Sequence, residues 1–319
     1  AQKHAQPDQW QDYWLDPKTK LVQFIGKDNI PFHASIFPAM IMGQNQPYKL
    51  VDELPANEFY NLEGKQFSKS DGWTIDLEDF FKRYTSDQIR YTIASNAPET
   101  SDSEFTWKDF QQRCNSELLG KYGNLVNRVL VFIRNQLAGA TPSVGPSETI
   151  DQEFLENIQS MVEQAAESYE HFKLRKACQH IMELAQLGNI YFDSKRPWHD
   201  VKQEATHVRL RTTLACCLEC LKALALVSYP IIPETATHLW QLLGFSETLE
   251  QPGWQKAMDL KIPEGQMLPQ PTVLFQKIED AQIEEEIEKH HYLFIVTVFR
   301  NAVCGKYNYG SKFNRNNAA

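Results

Sequence analysis

The chain has 319 residues, 42% hydrophobic and 23% charged, with a net charge of −9. Those proportions exclude a disordered chain, and the acidic balance excludes a protein that coats nucleic acid without selection, DNA included. A specific RNA face stays open, because phosphate contacts depend on local lysines and arginines. The length allows two or three domains with separate cores. Six cysteines need no disulfide framework, so a reducing cytoplasm is the expected setting. Ala1 opens abruptly in polar sequence with no basic-then-apolar leader, which reads as the middle of something longer.

In chain order, Lys20 to Gly26 is a short β-type run ending in glycine. Asn29 to Gly43 has the apolar spacing of a helix, with Pro31 tolerable in its first turn. Ala56 to Phe67 reads as a hairpin around Gly64. Strand, crossover helix and strand form the unit of a parallel α/β sheet, whose ligands gather at the carboxyl ends of strands; Gly26, Lys27 and Asp28 lie at such an end. From Asp87 onward the chain reads as helical. Leu118, Tyr122, Leu125, Val129 and Phe132 follow the 3.6-residue period. After the turn-rich linker Ala138 to Glu148, Thr149 and Gln152 offer a capping box. The following helix is expected to bury Phe154, Ile158, Val162, Tyr169 and Phe172. Further helices are expected at Lys173 to Leu187, at Thr206 to Val227, and from Pro233 to near Gly244.

The apolar run Leu214 to Pro233 is interrupted by Glu219 and Lys222, so it is expected to be a buried helix and not a membrane span. Within it, Cys216, Cys217 and Cys220 lack a second ligand pair and read as core, not as zinc ligands. Tyr292 to Phe299 is a β-branched run, read either as a strand needing a partner or as an exposed sticky segment.

Three stretches carry candidate chemistry. "GKQFSKSDG", Gly64 to Gly72, places two lysines and two serines between glycines. Glycines permit close backbone approach, and lysines and hydroxyls meet phosphate oxygens. Taken alone, an exposed polar turn fits it as well. Asn124 and Arg128 lie four apart and share one helix face. Trp198 follows the basic pair Lys195 and Arg196, and Lys195 is expected to contact phosphate. By themselves Arg128 also fits a surface salt bridge and Trp198 a core anchor.

Four motifs in one order, "FIGKDNIPFHASIFPAM", "KQFSKSDG", "GKYGNLVNR" and "RPW", resemble the carboxyl-terminal half of the methionyl-tRNA synthetases, a family of class I aminoacyl-tRNA synthetases. The resemblance runs from Phe24 to about Ile287. It implies an α/β plus α fold, in which the carboxyl-terminal part of a Rossmann-type nucleotide-binding domain is followed by an α-helical anticodon-binding bundle. The implied divisions are a partial Rossmann catalytic domain at 1–60, a signature loop and stem-contact region at 61–112, the anticodon-binding domain at 113–290 and an irregular tail at 291–319.

The resemblance also implies roles. Gln66, Phe67, Ser68, Lys69 and Ser70 stand at the family's Lys-Met-Ser-Lys-Ser loop, with Lys69 the catalytic cation. Gln66 replaces the first lysine, and Lys65 lies one place before it. Gly26 and Asp28 match positions beside ATP, although Asp28 as a helix N-cap is an alternative. Asn29, His33 and Phe37 match the methionine pocket; a core histidine and a packing aromatic are the alternatives for the last two. Asn124, Arg128 and Trp198 match the anticodon readers. The implied ligands are ATP with Mg2+, L-methionine, and the anticodon loop and acceptor stem of methionine tRNA. No zinc site and no membrane partner are implied. The family's His-x-Gly-His tetrapeptide is absent from this sequence, and the histidines of "KHHYLF" lack its spacing, so the chain alone is expected not to activate methionine. A non-catalytic RNA-binding module, or part of another class I synthetase, remains as an alternative.

Overall fold

A computed structural model describes residues 9–246, 248–250, 253–289 and 292. Apart from Tyr292, the expectations for Tyr292 to Phe299 and for the tail lie outside the described residues. The chain divides into a first unit, residues 1–66 with 97–104, and a second, residues 67–96 with 105–319.

The first unit begins with α1 (Trp10–Trp14) and β1 (Ile25–Gly26). A 3₁₀ turn (Lys27–Asn29) and a π turn (Phe32–Ile36) then lead into α2 (Phe37–Met42). β2 (Ala56–Asn57) returns parallel to β1, with Ile25 opposite Ala56 and Gly26 opposite Asn57. The expected strand, crossover and parallel strand are therefore present, but the strands are shorter than the β-type run suggested. Pro55, which accepts from the Ile25 N–H at 3.1 Å, has no N–H to return. The expected hairpin joins β3 (Tyr60–Leu62) to β4 (Lys65–Gln66), with Leu62 opposite Lys65. Its two turn residues, Glu63 (φ 47°) and Gly64 (φ 78°), are both left-handed, the backbone that matches strand twist in a two-residue hairpin. β5 (Ser103–Phe105) flanks β3 on its other side.

The second unit is helical. It comprises α3 (Leu77–Phe80), α4 (Ser86–Ser95), α5 (Trp107–Gln112) and a π-helical stretch (Arg113–Gly123) continuous with α6 (Asn124–Gln136). Then come α7 (Thr149–Glu170), α8 (Leu174–Lys195), α9 (Pro197–Asp200), α10 (His207–Ser228), α11 (Pro233–Leu242) and α12 (Gly253–Asp259). Local chemistry sets the boundaries. Thr85 and Gln88 close a capping box on α4, and Thr106 accepts from the Asp109 N–H at the start of α5. α7 starts one residue earlier than Thr149 and Gln152 suggested: Glu148 is the N-cap, and its N–H donates to Asp151 at 2.9 Å.

Leu118, Tyr122, Leu125 and Val129 are buried as their spacing predicts, whereas Ile133, not Phe132, completes the stripe. Phe154, Ile158 and Val162 are buried on α7. Phe172 falls beyond that helix in a left-handed turn (φ 57°) and is only half-buried, as is Tyr169. α10 packs against α7, α8 and α11. At Gly188 a Cβ would lie 2.6 Å from the Leu125 side chain and 3.0 Å from Cys220 Sγ, so α6, α8 and α10 pack too closely there to admit a side chain. Lys222, buried in α10, donates to the Met258 and Leu260 carbonyls at 2.9 and 2.7 Å, which satisfies the carboxyl end of α12. Cys114, Cys178, Cys216, Cys217 and Cys220 are buried and form no disulfide. Burial pushes the Cys114 and Cys220 thiols up to about 12, and those of Cys216 and Cys217 upward as well. Among the described residues no helix is long and apolar enough to cross a membrane.

Candidate functional site

The first unit carries the strand-end candidates. Gly26 is extended (φ −81°) and caps the 3₁₀ turn, so its value is space and not φ. A Cβ there would lie 2.7 Å from Asp28 Oδ1. Asp28 sits inside the turn, exposed, and accepts from the Asn29 amide at 3.3 Å; it caps no helix. The half-buried His33 shares a 2.9 Å hydrogen bond through Nδ1 with Gln23 Oε1. Phe37 packs edge-on against Trp14, with centroids 6.4 Å apart. Lys27, although next to these groups, is taken. It pairs with Glu58, bonds Asp102 at 2.8 Å and lies 4.3 Å above the Phe59 ring. The Asp102 bond, then that to Glu58, raises the Lys27 pKa. Gln66 lies exposed on β4 in the same unit.

The rest of the signature loop belongs to the second unit. Ser68 and Trp73 exchange backbone bonds of 3.0 and 2.8 Å, and Trp73 is buried, which anchors a short closed loop. Inside it the Ser68 hydroxyl donates to Asp71 Oδ2 at 2.8 Å and lies 3.1 Å from Ser70 Oγ. Gly72 (φ 69°) makes the return that a side chain would resist. Phe67, Lys69 and Ser70 are exposed. Lys69 thus rides on a flexible side chain at the tip of an internally braced loop.

The second unit also brings the three RNA-reading candidates onto one surface. Asn124, exposed, starts α6 one turn before Arg128. The Arg128 guanidinium lies 4.9 Å over the Phe192 ring, bonds Asn189 Oδ1 at 3.4 Å and is ion-paired with Asp193. Phe192 in turn lies 6.2 Å from Trp198, a residue that is 39% exposed. Buried edge-on against Phe132 at 5.7 Å, Phe192 is a fixed plate between a guanidinium and an open indole. A cation, an amide and an aromatic face side by side suit an unstacked base. The α8 residues Asn189, Phe192 and Asp193 were not singled out from sequence. Their signal was a polar pair four residues apart with an aromatic between them.

One expectation fails here. Lys195 cannot reach a phosphate, because its side chain is 1% exposed and donates to Glu148 Oε2 at 2.7 Å and meets Asp151 Oδ1 at 2.7 Å. Arg196, exposed and left-handed (φ 48°), is the surface cation of the pair.

Comparison with known proteins agrees with this layout. Residues 1–130 match the family "tRNA synthetases class I (M)", and residues 141–292 match "Anticodon binding domain of methionyl tRNA ligase". A methionine–tRNA ligase of Protochlamydia amoebophila is 70% identical over 280 residues, which are 88% of this chain and 40% of that protein. One from Chlamydia abortus is 53% identical over 239 residues, 75% of this chain and 43% of that protein. The crystal structure of Mycobacterium tuberculosis methionyl-tRNA synthetase bound by methionyl-adenylate aligns with a TM-score of 0.76 at 26% identity, covering 85% of this chain and 53% of that one. The chain therefore spans less than half the length of these two sequence relatives. Across both matched regions, the chain belongs to the methionyl-tRNA synthetase family.

Proposed function

We propose that this chain is the loop-bearing and tRNA-reading part of a methionine–tRNA ligase. That enzyme takes ATP as its magnesium complex, joins methionine to AMP and passes the methionyl group to methionine tRNA in the cytoplasm. Residues 1–60 close the nucleotide-binding part, 61–112 carry the signature loop and meet the acceptor stem, and 113–290 bind the anticodon. Attack of the methionine carboxylate on the α-phosphate builds negative charge on the departing pyrophosphate. The exposed Lys69 ammonium meets that charge in the transition state more strongly than in the ground state. Gln66, Phe67, Ser68 and Ser70 shape the loop; Gly26 and Asp28 receive the nucleotide; Asn29, His33 and Phe37 line the methionine side.

The observation that carries the reading is the Arg128 guanidinium over Phe192, with the exposed Trp198 tilted against the same ring and Asn124 one turn before Arg128 on α6. Its test is a titration of the 319-residue chain with the CAU anticodon stem-loop and with a loop changed at one anticodon base. Trp198→Ala should weaken CAU binding by roughly tenfold to a hundredfold, the range for one stacked base. Arg128→Ala should weaken the CAU loop more than the altered one. Equal affinity of the unmodified chain for both loops would reduce the face to a generic RNA surface. For the chemistry, this chain should replace the matching region of a full-length relative. There Lys69→Ala should slow methionine-dependent pyrophosphate exchange by about a hundredfold or more, and an unchanged rate would reduce the loop to an ordinary turn. The 319-residue polypeptide alone should show no exchange above background.

A further inference from the structure

The ionic cluster that includes Lys195 and Asp200, on either side of Trp198 in sequence, takes no part in the reading above, and five charged side chains there form a closed circuit. Lys195 Nζ meets Glu148 Oε2 and Asp151 Oδ1, each at 2.7 Å. Arg209 reaches Glu148 Oε1 at 3.3 Å through Nε and binds both Asp200 oxygens through Nη1 at 2.9 and 3.2 Å. Arg209 Nη2 also donates to the Lys195 carbonyl at 3.4 Å, so the circuit returns to its start. Lys195, Asp151 and Asp200 are almost wholly buried, whereas Glu148 and Arg209 are partly open.

The place of the circuit in the chain gives it a purpose. Lys195 is the last residue of α8 and Asp200 the last of α9, so the two anchored residues bracket the turn that bears Trp198. Between them Arg196 is left-handed (φ 48°, ψ 56°), a conformation that non-glycine residues hold only when their surroundings impose it. Pro197 then fixes the next φ. The bracket is bonded to further neighbours on both sides. Asp151 also accepts from the Tyr191 hydroxyl at 2.7 Å, and that ring stacks on Phe154 with centroids 3.8 Å apart. Asp200 presents its carbonyl to Thr206 Oγ1 at 2.9 Å. A buried lysine is tolerated only with its partners in place, so the charges select one arrangement of the turn and penalise others.

We infer that Lys195 is a positioning residue for base stacking: with Glu148, Asp151, Asp200 and Arg209 it clamps the left-handed turn that holds Trp198 beside Phe192. This assignment rests on the tRNA-reading proposal above and deepens it. Lys195 touches no RNA; it acts through the indole. A stacking platform has to be held within about half an ångström to keep its contribution, and that is what a supporting layer supplies.

The test is a double-mutant cycle on the 319-residue chain, read by CAU stem-loop titration at several salt concentrations, with helical content measured for every variant. Lys195→Met should weaken binding roughly fivefold to twentyfold, a part of the Trp198→Ala loss, and should leave the salt dependence unchanged. In the Trp198→Ala background, Lys195→Met should add less than about a twofold loss, because the platform it serves is gone. Lys195→Arg should recover part of the affinity. Glu148→Gln loosens the same circuit at its half-exposed member and should weaken binding severalfold in the same Trp198-dependent way; it decides the matter if Lys195→Met does not fold. Losses that multiply in the double variant, a salt dependence flattened by Lys195→Met, or full affinity in a folded Glu148→Gln protein would each overturn the clamp. Full affinity in Trp198→Ala would overturn the tRNA-reading proposal itself, and the clamp with it.

Discussion

The two units keep very different amounts of apolar surface from water. In the helical unit Tyr122, Leu184, Leu221 and Trp240 are at most 1% exposed, and they belong to a core that runs through α6, α8, α10 and α11. In the first unit the buried residues among those described are Leu62, Ala97 and Pro98. Phe24, Phe32, Ile36, Met40 and Met42 stand there with about half or more of their surface open. Phe32, Ile36 and Met40 recur every fourth residue, the stripe of a helix meant to be covered. The contrast shows what hydrophobic spacing tells: it marks the face that seeks burial and says nothing about what buries it.

Measurements can break or sharpen that contrast. The largest expected difference is in amide hydrogen exchange. Protons in the middle of α8 and α10 should exchange only through global opening, and those of β1 and α2 through local opening, at rates about a thousandfold higher or more. Similar protection in both units would end the comparison. Next, Leu184→Ala should cost about 2–5 kcal/mol in denaturant unfolding of the helical unit, the range for a large-to-small change in a closed core. A smaller effect comes from acid. The bond from Lys195 holds the Glu148 carboxyl below its usual range. Asp151, which burial alone would raise, is brought lower by its bonds from Lys195, Tyr191 and the Glu148 N–H. Both pKa values are depressed on folding, so their stabilisation is complete above about pH 5, beyond the unfolded values, and drains away as pH falls through the folded values. The helical unit should therefore lose stability as pH falls below about pH 5, with a shallower slope in Asp151→Asn. The smallest effect is Phe32→Ala, which should change stability by no more than roughly 0.5 kcal/mol, since the ring is already in water. A loss like that of Leu184→Ala would show that the stripe is covered in solution.

What was legible in the sequence divides by kind of information. Helical periodicity located the buried stripe of α6, and Pro233 with Gly244 (φ 85°) bounded α11 as expected. Asn124 and Arg128 shared a face because spacing alone dictates it. Facts that depend on a third element were hidden. The capping residue of α7 is Glu148, whose carboxylate also serves Lys195 and Arg209 from other helices. Lys195 looked like its neighbour Arg196, yet the left-handed turn sends one into the bundle and leaves the other in water. Phe192 is a core residue, with nothing in its spacing to set it apart. Only tertiary packing shows that its ring also lies under Arg128.

The buried cysteines have a practical consequence. Attack on an alkylating reagent needs a thiolate, and burial denies Cys114, Cys216, Cys217 and Cys220 both ionisation and access while the helices stay closed. These sulfurs form a native clock distributed over the π-helical stretch and α10. If all four acquire adducts in a single kinetic phase, the helical unit opens as one body; if Cys114 is labelled first, it opens from the amino-terminal side.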